Sequence, residues 1–196
     1  MGKALAAWMM MLTGVMAAPA AGPRQTVETA TLRVIGVLQT SAPGGRSETD
    51  RRAEIRRVAH ELLDFTEVAR RALSRHWAAR THTEQAEFVA LLTDLLERSY
   101  MSRIEAYAGE RIVYTGEAVD GTFAMVRSKV LSPRRSEVGI DYRLHLHGGR
   151  WQVYDVLIDG ASFVSTFRAQ FARVIQAESY GALVERLRKR AIAGTR

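Results

Sequence analysis

His145 and His147 stand two residues apart in a segment that alternates apolar and polar. On a strand that spacing puts both imidazoles on one face, an arrangement metal sites use. The chain has no cysteine, and Asp141 is the carboxylate tied to that face, so the pair reads as solvated strand histidines beside the Gly148-Gly149 turn. His76 and His82 flank a helix-to-helix junction and read as capping or surface groups. His60 sits beside an apolar helical face and reads as a partly buried core residue. Ser162, with Asp155 and Asp159 close by, is the candidate nucleophile, for which a base and an orienting acid would be needed. No Gly-x-Ser-x-Gly elbow surrounds it, and Asp159-Gly160-Ala161-Ser162 suits the N-cap of a following helix better. No Walker A, dinucleotide glycine pattern or zinc-finger spacing occurs. Arg134-Arg135 and Arg186-Arg188-Lys189-Arg190 are basic clusters without interleaved aromatics for stacking on bases. The expectation is no catalysis, no metal, no cofactor and no nucleic acid.

The elements that must position these groups follow from periodicity. Lys3, an apolar run from Ala4 to Met16, and Ala18-Pro19-Ala20 have the form of a secretory signal, so residues 1–20 are expected to be removed and 21–196 to form one exported domain. The 196 residues carry a net charge of +7, which favours anionic partners without choosing among them. A helix is expected over Thr26 to Gln39, and Pro43-Gly44-Gly45 separates it from a second over Glu48 to Leu63. In the second, Ile55, Val58, Ala59 and Leu62 share a face, and Arg51, Arg52, Arg56 and Arg57 lie largely on the solvated side. Asp64 with Glu67, and Thr81 with Glu84, fit capping boxes. The first opens a short helix through Leu73 and the second a long one to about Tyr107. After Gly109 the period changes to two. Strands are expected over Arg111 to Glu117, Thr122 to Leu131, Glu137 to His147 and Arg150 to Ile158, with Ser132 to Ser136 and Gly148-Gly149 as turns. Gly160 is expected to end the sheet, and helices follow over Ser162 to Glu178 and Ala182 to Ala193. Helices, then an antiparallel meander, then helices make an α+β domain with a four-stranded sheet covered on one side.

The apolar supply is large. Phe163, Val164, Phe167, Phe171, Val174 and Ile175 form one heavy stripe, and the long helix offers another. Composition leaves open whether these fill a core or line a cavity.

From Glu61 to Lys189 the chain resembles the MlaC family, also called toluene-tolerance or Ttg2-type proteins. The residues that carry the resemblance start with Asp64-Phe65, Ala69, Ala72-Leu73 and Trp77. Thr81-x-x-Glu84-Gln85-x-x-Phe88 and Tyr100 follow, then Trp151-x-Val153-Tyr154-Asp155-Val156, Asp159-Gly160-Ala161-Ser162-Phe163-Val164 and Arg168-x-Gln170-Phe171. Ser74-Arg75 departs from the family, which commonly has a Gly there, and Ala161 is often Val. The resemblance implies an NTF2/cystatin-like sheet whose helices enclose an apolar lipid cavity. It also implies a monomeric periplasmic phospholipid carrier that shuttles between an outer-membrane lipoprotein complex and the MCE-domain subunit of an inner-membrane ABC transporter. The alternative it leaves open is that this chain is a sister member binding another apolar ligand, such as a hopanoid-pathway lipid. The lining expected from face assignment and family position is Leu73, Trp77, Leu92, Tyr100, Val126, Val130, Ile140, Tyr142, Leu144, Tyr154, Phe163, Phe167 and Phe171. It would lie between the sheet and the two aromatic-rich helices.

Overall fold

The computed structural model describes residues 21–39, 47–132 and 137–193. The expected signal segment, the Pro-Gly separator and most of the Ser132 to Ser136 turn lie outside these residues. Helices α1 (Pro23–Gln39), α2 (Glu48–Leu62), α3 (Phe65–Leu73) and α4 (His82–Glu105) come first. Strands β1 (Arg111–Asp120), β2 (Phe123–Leu131), β3 (Glu137–His147), β4 (Arg150–Ile158) and β5 (Ala161–Ser162) follow, then α5 (Phe163–Ala177) and α6 (Tyr180–Ala193). None of the described helices is long and apolar enough to cross a membrane.

The helix starts are set by local hydrogen bonding. Thr81 and Glu84 form the full capping box, with Thr81 N–H donating to Glu84 at 2.8 Å and Glu84 N–H to Thr81 at 3.2 Å. Asp64 also caps, accepting from Glu67 N–H at 2.9 Å, but the reciprocal half of the expected box is absent. Glu67 turns its carboxylate to Arg70 and Arg71, at 2.6 Å from each. The Asp64 N–H is already taken by the Val153 carbonyl, at 2.9 Å. That bond, with the bridge between Leu63 and Val153, runs the α2–α3 junction along the outer edge of β4.

The sheet is an antiparallel meander in the order β1-β2-β3-β4-β5, with five strands where four were expected. Asp159 and Gly160 take φ of 47° and 80°, which reverses the chain beyond Ile158. Ala161 and Ser162 then pair back on Ile158 and Leu157. Two residues are too few for an alternation to show in the sequence. In β4 the register shifts so that Tyr154 is the extra residue of a bulge between Arg143↔Asp155 and Leu144↔Val153.

Two principal cores result. On the sheet face, Ala124, Val126, Leu144 and Val153 are buried with Val27 of α1, and Leu62 and Leu63 pack against them. The other core belongs to the helices, where Ala69, Leu73, Phe88, Leu92 and Phe171 are buried together across α3, α4 and α5, closed by Leu183 and Leu187 of α6. Helices on one face therefore describes α1 and α2. The others pack mainly on one another and reach the sheet chiefly through β4. A smaller cluster of Val37, Ile55 and Met101 joins α1, α2 and α4.

Candidate functional site

Helix α2 crosses the sheet face with its row Ile55, Val58, Ala59 and Leu62 turned inward, and an apolar pocket lies on each side of it. The larger, about 540 Å³, lies between Ala30, Val34 and Leu38 of α1, the α2 row, and Val130, Val138 and Tyr142 of the sheet. The smaller, about 200 Å³, lies between α2, Leu96, Tyr100 and Met101 of α4, Tyr154 and Val156 of β4, and Phe163 and Val164 at the start of α5. Ile55, Ala59, Leu63, Ile104 and Val156 line both, so one layer of side chains divides them. Charged residues meet the smaller pocket at Arg56, Glu97 and Asp155 and the larger at Arg103 and Glu110.

The outer side of α2 is strapped to α4. Arg52 forks onto Glu105 at 2.7 and 3.0 Å, Arg56 meets Glu97 at 3.1 Å, and His60 meets the same carboxylate at 2.9 Å. His60 is more than half exposed, not a core histidine, because its ring tilts outward over Phe65 toward Glu97. The cationic ends of these pairs are open to solvent while Glu97 and Glu105 are half-buried, so each is worth on the order of 1 kcal/mol and they align α2 without locking it.

The expected lining residues are spread over the two pockets, the sheet face, the helical core and a separate groove. Tyr100, Tyr154 and Phe163 line the smaller pocket, and Val130 and Tyr142 the larger. Val126 and Leu144 are fully buried in the sheet core. Ile140 is half-buried on the same face, opposite Ser128 and Ile158, and lines neither pocket. Leu73 and Leu92 are buried in the helical core, with Trp77 packed against it. Phe167 and Phe171 line a separate groove of about 260 Å³ between α4, α5 and α6. The apolar space thus sits beside α1 and α2, whereas α5 brings only its first turn. The α2 row is legible in the sequence, but the surface it faces is not, and α1 carries no wide stripe that would single it out.

Burial raises the Tyr142 phenol to about 12, reinforced by Tyr114 and opposed weakly by the Ser128 and Thr31 hydroxyls. The polar signature residues serve the frame. Asp155 is buried and accepts from Ser162 Oγ at 2.7 Å, from the Val164 N–H at 3.0 Å and from Arg143 at 3.2 Å. Ser162 is the α5 N-cap, its Oγ accepting from the Ser165 N–H at 3.0 Å. Asp159 accepts from the Gly139 N–H at 2.8 Å, tying the β5 turn to β3.

His145 Nε2 lies 3.1 Å, and His147 Nδ1 3.8 Å, from the same oxygen of Asp64, and the two rings stack at 5.7 Å. His145 is therefore enclosed rather than solvated, by a carboxylate 81 residues away that the local spacing could not reveal. Among the described residues no cluster of three or more His, Cys, Asp or Glu is arranged to hold a metal ion.

The profile of the family described as MlaC protein matches residues 28–189. The toluene tolerance protein ttg2D of Pseudomonas putida is 24% identical over 157 residues, which cover 79% of this chain and 73% of that one. The solved structure of a phospholipid-binding protein from Ralstonia solanacearum, in complex with a phospholipid, matches with a TM-score of 0.78 and 27% identity. That match covers 90% of this chain and 100% of that one.

Proposed function

This chain belongs to the MlaC protein family, and from that premise we propose that it is a periplasmic phospholipid carrier whose two apolar pockets shelter the acyl chains. The observation that carries this reading is the pair of pockets divided by a single layer of side chains under α2. The likeness to a protein solved with a phospholipid bound supports it. Each methylene removed from water is worth ~0.8 kcal/mol, so two long chains represent roughly 20 kcal/mol against crossing an aqueous gap alone. A carrier must offer a comparable dry surface, and the volumes present are smaller than two full chains require. Loading therefore moves α2 outward, which the half-exposed straps to Glu97 and Glu105 oppose by only a few kcal/mol together, on the order of 1 kcal/mol each. In this reading the headgroup stays outside, and Arg103, exposed beside the larger pocket, would meet its phosphate.

Such transfer breaks no covalent bond. Asp155 and Ser162, the pair closest to a catalytic arrangement, are both engaged in holding α5 to β4. In the cell the carrier would exchange lipid with an outer-membrane lipoprotein complex and with the MCE-domain subunit of an inner-membrane ABC transporter. Native mass spectrometry of the protein purified from periplasmic extract tests the reading. A bound mass equal to a diacyl glycerophospholipid is expected. Protein that is consistently ligand-free, or that carries a non-phospholipid such as a hopanoid, would overturn it.

A further inference from the structure

Helices α5 and α6 hold an excess of the charge. Between Phe163 and Arg190 there are six basic residues and two acidic ones, a net +4 of the chain's +7. Helix α5 has no acidic residue at all. Of the two carboxylates, Glu178 is paired with Arg186 and Glu185 with Arg188. Among the described residues Lys189 and Arg190 have no acidic partner within ion-pair distance, and both are exposed. Gln170, Arg186, Lys189 and Arg190 border the groove whose floor includes Leu95, Phe167 and Leu187. From that floor an unbroken row of rings leads inward. Phe171 lies 5.4 Å from Phe167, Phe167 4.7 Å from Phe163, and Phe163 5.2 Å from Tyr100 in the smaller pocket.

We propose that this groove between α4, α5 and α6 is the face with which the protein docks on an anionic phospholipid bilayer. Basic side chains around an apolar floor match a surface of phosphate groups above acyl chains, and each such cation near an anionic leaflet strengthens binding. An acidic protein surface would satisfy the cations but leave the apolar floor unused. The inference builds on the carrier reading, and bound lipid is measured alongside so that lost docking and lost cargo are told apart.

The test is co-sedimentation of the purified protein with two kinds of vesicle, one of phosphatidylcholine and one with roughly one-third phosphatidylglycerol. Binding to the anionic vesicles, weakened by salt and absent on neutral ones, is expected. Arg186→Glu/Lys189→Glu/Arg190→Glu is expected to lose about tenfold or more in binding while retaining its co-purified lipid. Arg111→Glu/Arg127→Glu/Arg150→Glu, of equal net charge but on the sheet, is expected to stay within about twofold of the parent. Lys189→Glu alone gives a smaller graded loss if the triple variant is unstable. Equal losses in the two triple variants, or no preference for anionic vesicles, would overturn the proposal. Loss of lipid with docking intact would instead count against the carrier reading.

Discussion

Ser162 donates its hydroxyl to Asp155 across 2.7 Å, and the other carboxylate oxygen of Asp155 takes the Val164 N–H at 3.0 Å. One buried aspartate on β4 thereby sets where the sheet ends and α5 begins. The first turn of α5 carries Phe163 and Val164 into the smaller pocket, so this polar joint shapes an apolar wall.

Removing Asp155 leaves a buried N–H and a half-buried hydroxyl without acceptors. Asp155→Ala should destabilise the protein by about 3 kcal/mol, and Asp155→Asn, which keeps one acceptor, by about 1–2 kcal/mol. Ser162→Ala should cost about 1 kcal/mol as a lost cap. Urea unfolding reads all three, and hydrolysis of a lipid ester that vanished in Ser162→Ala would contradict the structural role.

Ser74 sits at φ 52°, ψ −125° just after α3, a conformation suited to glycine. Glycine reaches this region without the clash that a Cβ brings. A side chain there costs about 1–3 kcal/mol, so Ser74→Gly should stabilise by about 1 kcal/mol, seen as a rise of about 2–4 °C in Tm. An unchanged or lower Tm would show that the strain is absent.

Ala59 is small at the wall the two pockets share. Ala59→Phe should fill that junction and reduce co-purified lipid severalfold in a folded protein. Leu92→Ala, in the separate helical core, should cost about 2–5 kcal/mol and leave lipid content unchanged. If both variants behave alike toward lipid, the assignment of the site to the α2 side is mistaken.

The Tyr142 phenol, raised to about 12 by burial, is un-ionised in the folded protein at pH values where the unfolded chain already loses its proton, near 10. The contribution is whole below pH 10 and is lost as pH rises from 10 to 12, at about 1.4 kcal/mol per unit for this one group. Tyr142→Phe should flatten that part of the stability profile. Denaturation curves across this pH window, compared with the parent, measure it.

Much of the frame was legible because it is local. Thr81 and Glu84 announce the start of α4 by their types and spacing, and β3 and β4 end where the alternation ends. β5 was hidden because it is two residues long and exists only as pairing with β4. The second half of the cap at Asp64 failed because Val153, 89 positions on, claims the same N–H. The candidate site was legible only in part. Tyr100, Tyr154, Phe163, Val130 and Tyr142 were named and line the pockets, whereas Leu73 and Leu92, of the same chemical type, pack solid.

Sequence alone determined which residues are apolar, on which face of each helix or strand they lie, and which serines, threonines and aspartates begin helices. These are consequences of neighbours a few positions away. Only the tertiary structure decided which faces meet with space between them. That depends on the angle at which α2 crosses the sheet and on the β4 edge that fixes its end, and the distances involved span most of the chain. A leucine against a leucine and a leucine against an empty pocket have the same side chain, so the difference lies in the fold and not in the residue.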